Sequence, residues 1–270
     1  MGIFNKFILK FVAENRQHRF SKYLVKVSQK TLRMYENYNF DIAANGELVL
    51  LKKLSAENVG TIFDVGANTG DYARICADVF PRAKVHCFEV LEKNREILKE
   101  RFHGRDNVVI NACGLSDETG SLQFNLVDNT SALTSIYAAK SAREVRAVSC
   151  PVKKGDDYTR EMNISRIDFM KIDVEGMEHL VLKGFSGSLD RGEIEIIQFE
   201  YGLSSIYSRF FLIDFYRFFE KYGFRVGKIY PRYVDFRDYK LNHEEFIGSN
   251  YLAVKKDRRD LIELLTMPAR

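Results

Sequence analysis

The chain has 270 residues, 46% hydrophobic and 29% charged, which is enough to bury one sizeable α/β core and excludes a disordered or fibrous protein. A formal net charge of +4 is too small to point to nucleic acid, and no run of about 18 apolar residues is long enough to cross a bilayer. The four cysteines lie far apart with no C-x-x-C pair, and the five histidines show no H-x-x-x-H spacing, so the chain reads as holding buried free thiols in a reducing compartment and no zinc site.

In chain order, residues 3–12 place Phe4, Phe7, Ile8 and Phe11 on one helical face, with Lys6 and Lys10 outside it. A second helix is predicted over roughly 20–35, with Lys22, Lys26, Lys30 and Arg33 outward and Tyr23, Leu24, Val27 and Leu32 inward. Residues 1–33 carry eight Lys and Arg against one acid, Glu14, which leaves the remainder slightly acidic. Such a segment is either a helical cap on the main domain or a basic amphipathic surface for an anionic membrane or a protein partner; RNA is the weakest of these readings. Lys6 and Lys10 interrupt the apolar run that a secretory signal needs, so a cytoplasmic protein is expected, with peripheral attachment at the inner membrane surface left open.

Residues 42–54 read as a turn and then a helix. Next come Thr61, Ile62 and Phe63, a short β-branched and aromatic strand ending in Asp64. Gly66, Ala67, Asn68, Thr69 and Gly70 form a turn, and Tyr72, Ile75, Cys76 and Val79 then recur at helical spacing. Glycine lets backbone approach a ligand closely, and the helix that follows aims free N–H groups at the turn. The dinucleotide pattern G-x-G-x-x-G is not met, because Asn68 and Asp71 stand where its second and third glycines belong, and the phosphate loop is absent. A carboxylate at the strand end suits a cationic amine better than a pyrophosphate. Residues 84–90 alternate as a strand and reach Glu89, 25 positions after Asp64, where an acid is placed to accept hydrogen bonds from ribose hydroxyls.

A helix over 91–103 and a buried strand over 108–112 come next. Residues 113–119 read as a turn-rich loop and 121–126 as another strand. The polar stretch 128–142, with Ser131, Leu133 and Tyr137, is read as a cover for the site, and 143–151 as one more strand. A strand at 167–173 should be an unbroken apolar run in a sheet buried on both faces, and Lys171 breaks it. Because a buried ammonium is costly unless paired, Lys171 is expected to pair with Asp173, Glu175 or Glu200, either at a functional site or as a sheet-stabilising ion pair. A helix over 177–184, a strand over 193–200 ending in Glu200, an aromatic helix over 211–222, strands over 223–230 and 249–255, and a short charged helix over 257–270 complete the reading. Tyr201, Tyr207 and Tyr233 are placed in loops, as core or as a wall for a flat acceptor. Asp64, Glu89, Asp173 and Glu200 should then cluster at the carboxyl ends of strands, where α/β sheets bind ligands.

The segment 64–70, taken with Lys171-Ile-Asp173-Val-Glu175-Gly176, resembles the FkbM-type S-adenosylmethionine-dependent methyltransferases. The resemblance covers roughly residues 40–255. It implies an α/β, Rossmann-like methyltransferase sheet over 41–256, mostly parallel with an antiparallel last strand and helices on both faces. A basic helical extension, 1–40, would precede it and a short helical tail, 257–270, would follow. It further implies S-adenosylmethionine as cofactor and O-methylation of a hydroxyl on a sugar, glycan or related small molecule.

By resemblance Asp64, Gly66, Ala67, Asn68 and Gly70 hold the methionine part of the cofactor and Glu89 its ribose. Ala112 and Asp117 lie along the adenine, although Asp117 is equally a turn former. Glu47 either lines the cofactor pocket or faces its own helix dipole. For a hydroxyl acceptor a base is needed. Asp173 is the first candidate, with Lys171 and Glu175 tuning it and Glu200 as alternate. Asp173 and Glu175 can instead ligate a divalent cation that orients two acceptor oxygens. The absence of an Asn-Pro-Pro-Tyr motif argues against an adenine N6 acceptor. Two other classes remain: a nucleotide-binding oxidoreductase, disfavoured by the loop spacing, and a non-catalytic S-adenosylmethionine-binding module, disfavoured by four intact strand-end acids.

Overall fold

The computed structural model describes residues 10–127, 134–135, 145–248 and 250–267. The expectations for Phe4, Phe7 and Ile8, and for Ser131, Leu133 and Tyr137, lie outside the described residues. Helix α1 (Arg19–Tyr35) stands largely exposed and is tied down at its end. There Glu36 accepts from the buried Lys228 Nζ at 2.8 Å, and Asn37 Nδ2 donates to the carbonyls of Asn45 and Ile229. Helix α2 (Glu47–Leu54) then leads into two β–α units: β1 (Thr61–Val65), α3 (Asp71–Val79), β2 (Lys84–Phe88), α4 (Glu92–Arg101) and β3 (Val108–Asn111).

A small second sheet follows, made of β4 (Gly114–Ser116), β5 (Gly120–Val127), β6 (Thr134–Ser135) and β7 (Val145–Lys154). The chain returns to the main sheet through α5 (Gly155–Glu161) and β8 (Ile167–Ile172). Beyond it lie α6 (Glu178–Gly184), α7 (Ser186–Asp190), β9 (Ile194–Glu200), α8 (Ser204–Ser208) and α9 (Leu212–Lys221). The last elements are β10 (Phe224–Tyr230), β11 (Tyr233–Phe236), β12 (Asn250–Lys255) and α10 (Arg259–Thr266).

Among the described residues the main sheet has the order β11-β10-β12-β9-β8-β1-β2-β3. Its strands β3, β2, β1, β8 and β9 are mutually parallel, and β12 runs antiparallel to both β9 and β10 between them. This is the mostly parallel, Rossmann-like methyltransferase sheet that the motifs implied.

Side-chain alternation builds a core on each face. Ile62 points into a cluster with Cys76, Phe169 and Leu252, while its neighbour Phe63 points into another with Phe88, Met170 and Phe199. Full burial of each such side chain contributes about 1.5–3 kcal/mol. The central strand β8 is buried along its whole length and still carries two charges. Asp168 accepts from the amides of Gly60 and Thr61 and from Arg166 Nε, so it staples the start of β1 to β8.

Several expectations are corrected. The loop expected at 113–119 contains β4, which pairs with the distant β7, a partner no local pattern reveals. The short elements α5, α7, α8 and β11 were not expected, being too brief for a period to register. The tail helix α10 is amphipathic: it buries Leu261 and Leu265 against the main core. Tyr201 follows β9 but is buried, with its hydroxyl donating to Glu244 Oε2 at 2.7 Å. Tyr207 sits on α8, and Tyr233 begins β11, stacked on Tyr230.

Candidate active site

A cavity of about 270 Å³ opens at the carboxyl ends of β1, β2 and β8. Its floor is the turn after β1. Gly66, Asn68 and Gly70 all have positive φ, at 87°, 48° and 85°. A Cβ on Gly66 would lie 1.9 Å from the Asp173 carbonyl oxygen, so β1 and β8 approach here only because the residue is glycine. The amides of Gly66 and Ala67 both donate to the Phe88 carbonyl at 3.0 Å, which folds the turn against β2.

Glu89 lies just past β2 and closes one wall. Its Oε2 accepts from the Asn68 amide at 2.9 Å and its Oε1 from the Leu91 amide at 2.7 Å. Asn94 Nδ2 in turn donates to Asn68 Oδ1 at 3.0 Å. The carboxylate is thereby fixed in orientation, and each oxygen keeps acceptor capacity for a ligand. Burial pushes the Glu89 carboxyl up, and the amide donors oppose that rise.

Asp64 is fully buried at the end of β1 and lines the cavity. Neither of its oxygens has a well-formed hydrogen bond among the described residues; the Ala73 amide makes at most a weak one, the smallest of the influences on its pKa. Burial raises its pKa to about 6 against the opposing charge of Lys171. Lys171 instead pairs with Asp173 Oδ2 at 2.8 Å, with its ammonium 5.0 Å from the centre of the Tyr72 ring. Burial works against that ammonium, but the carboxylates of Asp173, Asp64 and Glu47 outweigh it and hold Lys171 well above the usual lysine range.

A second group of acids surrounds Asp173. Burial alone would raise Asp173, yet Lys171 holds it below the usual carboxylate range. Glu175, also in the cavity wall and held at a positive φ of 55°, is pushed to about 7 by burial and by the charges of Asp173 and Glu178. Glu178 is likewise driven to about 7 by burial, although its Oε1 accepts from the amides of Val174 and Gly176. Glu200, at the end of β9, is raised far above its ordinary value by burial and by Asp173, Glu175 and Glu178, and it hydrogen-bonds to Asp173. A protonated Glu200 beside an ionised Asp173 is the arrangement these shifts describe.

Of the residues singled out from the sequence, Asp64, Gly66, Ala67, Asn68, Glu89, Lys171, Asp173 and Glu175 come together in the cavity wall. Gly70 caps the start of α3 from behind it. Glu200 reaches the cavity only through Asp173. Glu47 stands one layer back: it accepts from Asn45 and from Gln198, and Gln198 accepts from the Tyr72 hydroxyl at 2.8 Å. Ala112 is exposed beyond β3 and Asp117 accepts from Ser116 Oγ at 3.0 Å; neither lines the cavity. That wall is formed by Gly114 and Leu115 of β4, which stands where a loop is expected, and by Phe124 of the expected strand β5. Ile42 and Met177 also line it, at positions where the sequence marks only the start of a turn and of a helix. Among the described residues no three His, Cys, Asp or Glu side chains are grouped to hold a metal ion.

A family model described as the methyltransferase FkbM domain matches residues 64–226. The hexuronic acid methyltransferase AglP of Haloferax volcanii is 26% identical over 164 residues, 60% of this chain and 65% of that protein. The 2-O-methyltransferase NoeI of Sinorhizobium fredii is 23% identical over 159 residues, 54% of this chain and 65% of its own length. The chain thus spans less than two thirds of the curated relatives it matches. A crystal structure of a methyltransferase FkbM from Methylobacillus flagellatus superposes with a TM-score of 0.48 at 14% identity, covering 73% of this chain and 43% of that one.

Proposed function

Because this chain belongs to the FkbM methyltransferase domain family, we propose that it transfers a methyl group from S-adenosylmethionine to a hydroxyl of a sugar, glycan or related small molecule. The observation that carries the reading is Asp64: a fully buried carboxylate with no well-formed hydrogen bond among the described residues, opening on a cavity beside a turn that only glycine can make. Such a group is strongly disfavoured unless a cationic or hydrogen-bonding ligand completes it. A ligand with an amine at one end and ribose hydroxyls further on fits Asp64 and Glu89 together.

When bound, S-adenosylmethionine supplies a methyl group already activated by its sulfonium charge. The chain's own work is then positioning and proton removal. Asp64 accepts from the amino group at the amino-acid end, the turn amides fix the shape of the loop around it, and Glu89 accepts from the ribose. Lys171 keeps Asp173 ionised, which makes Asp173 a weak base but a firm acceptor of an acceptor hydroxyl's hydrogen bond. Glu175, pushed to about 7, is the cavity carboxyl tuned to take that proton near neutrality, so the base role moves from Asp173 to Glu175. Glu200 shares its proton with Asp173 and is assigned to orientation. The names of the two relatives, a hexuronic acid methyltransferase and a 2-O-methyltransferase, support a sugar-type hydroxyl as acceptor.

The test is a calorimetric titration of S-adenosylmethionine into the full chain, with NAD as control and Glu89→Ala beside it. Saturable binding that the substitution weakens at least roughly tenfold supports the reading, as expected for losing hydrogen bonds to a charged group. Absence of binding, or a preference for NAD, returns the turn to a generic nucleotide loop. Release of S-adenosylhomocysteine with hexuronic-acid-bearing glycans then tests the acceptor class.

A further inference from the structure

Helix α1 leaves its apolar side chains largely uncovered. Tyr23 is 65% exposed, Met34 71% and Tyr35 75%, Phe20, Val27 and Leu32 are each about half exposed, and Ser21 is the helix's buried residue. At roughly 100° per residue, Phe20, Tyr23, Leu24, Val27 and Met34 share one arc, and Arg19, Lys22, Lys26, Lys30 and Arg33 fill the arc beside it. The helix contains no acidic residue, and Arg19, Lys22, Lys26 and Lys30 make no ion pair with any described residue. Its foot is fixed: Glu36 joins Lys228 and Glu245 in a buried cluster, and Tyr230 donates to Glu36 Oε2 at 3.1 Å. From that foot the chain runs to Ile42, which lines the cavity.

We propose that α1 docks on an anionic lipid surface. Its apolar arc enters the boundary between headgroups and acyl chains, and its basic arc meets the lipid phosphates. Charge complementarity selects this occupant. A second copy of α1 brings the same basic arc and no acid to answer it. An RNA backbone would satisfy the lysines and leave the apolar arc in water. No helix among the described residues is long and apolar enough to cross a membrane, so the mode is to lie on the surface.

The chain contains no tryptophan, so Tyr23→Trp in the full-length protein places a background-free reporter on the apolar arc. The expected result is a blue-shifted emission with phosphatidylcholine vesicles containing about a third phosphatidylglycerol, and none with phosphatidylcholine alone. Wild-type chain should co-sediment with the anionic vesicles in a salt-sensitive manner. With each basic residue contributing about fivefold near such a surface, Lys22→Glu/Lys26→Glu/Lys30→Glu should lower partitioning by at least roughly a hundredfold. Val27→Ser/Met34→Ser, with every charge kept, should also release it. Both variants alter exposed side chains, and unchanged thermal transitions will show that they fold. Equal binding to neutral vesicles, no blue shift, or retention by the serine variant overturns the proposal. So does RNA binding with the serine variant unaffected, or a dimer in sedimentation velocity that the serine variant dissolves.

Discussion

Asp64 and Lys171 stand opposite each other in the register of adjacent parallel strands, yet the ammonium turns away to Asp173. The sheet therefore holds a carboxylate beside a cation without letting the two close on each other. Asp64 gains some electrostatic support and keeps both oxygens for something else.

Asp64→Asn removes that charge at nearly constant volume. Affinity for S-adenosylmethionine should fall about 10- to 100-fold, the worth of a hydrogen bond to a charged group, while the ligand-free protein melts no lower than wild type. Because burial raises Asp64 to about 6, wild-type affinity should weaken as pH falls below 6 and its carboxylate takes up a proton. Calorimetry from pH 5 to 8 should give a sloping profile for wild type and a flat one for the variant.

Glu175→Gln should lower kcat by about 10²- to 10⁴-fold, the usual range for a general base, and leave cofactor affinity unchanged. In the wild type, kcat should rise with pH through about 7 as Glu175 loses its proton. A variant that keeps this ascending limb would return the base role to Asp173.

Gly66→Ala should be severely destabilising. The residue has φ 87°, and its new methyl would strike the Asp173 carbonyl, which is backbone and cannot swing aside. We expect a loss of at least about 2 kcal/mol by denaturant titration, together with loss of cofactor binding. Gly104→Ala is the control: its φ is also positive, at 77°, but nothing lies within 4 Å, so only the intrinsic strain of about 1 kcal/mol should appear.

The ligand-free protein should lose stability between about pH 6.5 and 8. Glu175 and Glu178 have native pKa values raised to about 7, so the folded state binds protons that the unfolded chain has already released, and this stabilisation disappears as pH rises through 7. The buried His86, lowered to about 4 by burial, acts in the opposite sense, but only below its unfolded value near 6.5. A drop on the order of 1–2 kcal/mol is expected, reduced in Glu178→Gln, and thermal melts across this range would measure it.

Legibility followed the period of the pattern. Strands β1, β2, β8 and β9 each end near an acid after an apolar run, and those runs located Asp64, Glu89, Asp173 and Glu200 from the chain alone. The partner of Lys171 was narrowed to three acids, and side-chain reach chose Asp173. What stayed hidden was whatever depends on distant pairing. The three residues of β4 become a strand only because β7 lies alongside, and Phe124 becomes cavity wall only through that second sheet. Ala112 and Asp117 do lie in the bends on either side of β4, but it is β4 itself, with Gly114 and Leu115, that reaches the cavity. The shift of Glu175 to about 7 also had no local signal, because it comes from burial and from Asp173 and Glu178 acting together.

The antiparallel strand β12 lies between β9 and β10 but is made after both. On the ribosome, then, the sheet waits half-zipped: β10 and β11 are complete while the slot that joins them to β9 is vacant. Each flank of that slot is an unpaired ladder of amides and carbonyls, the kind of edge on which other chains add strands. A nonsense codon just before β12 would leave both flanks open for good, and its product should be found in inclusion bodies or at the protease.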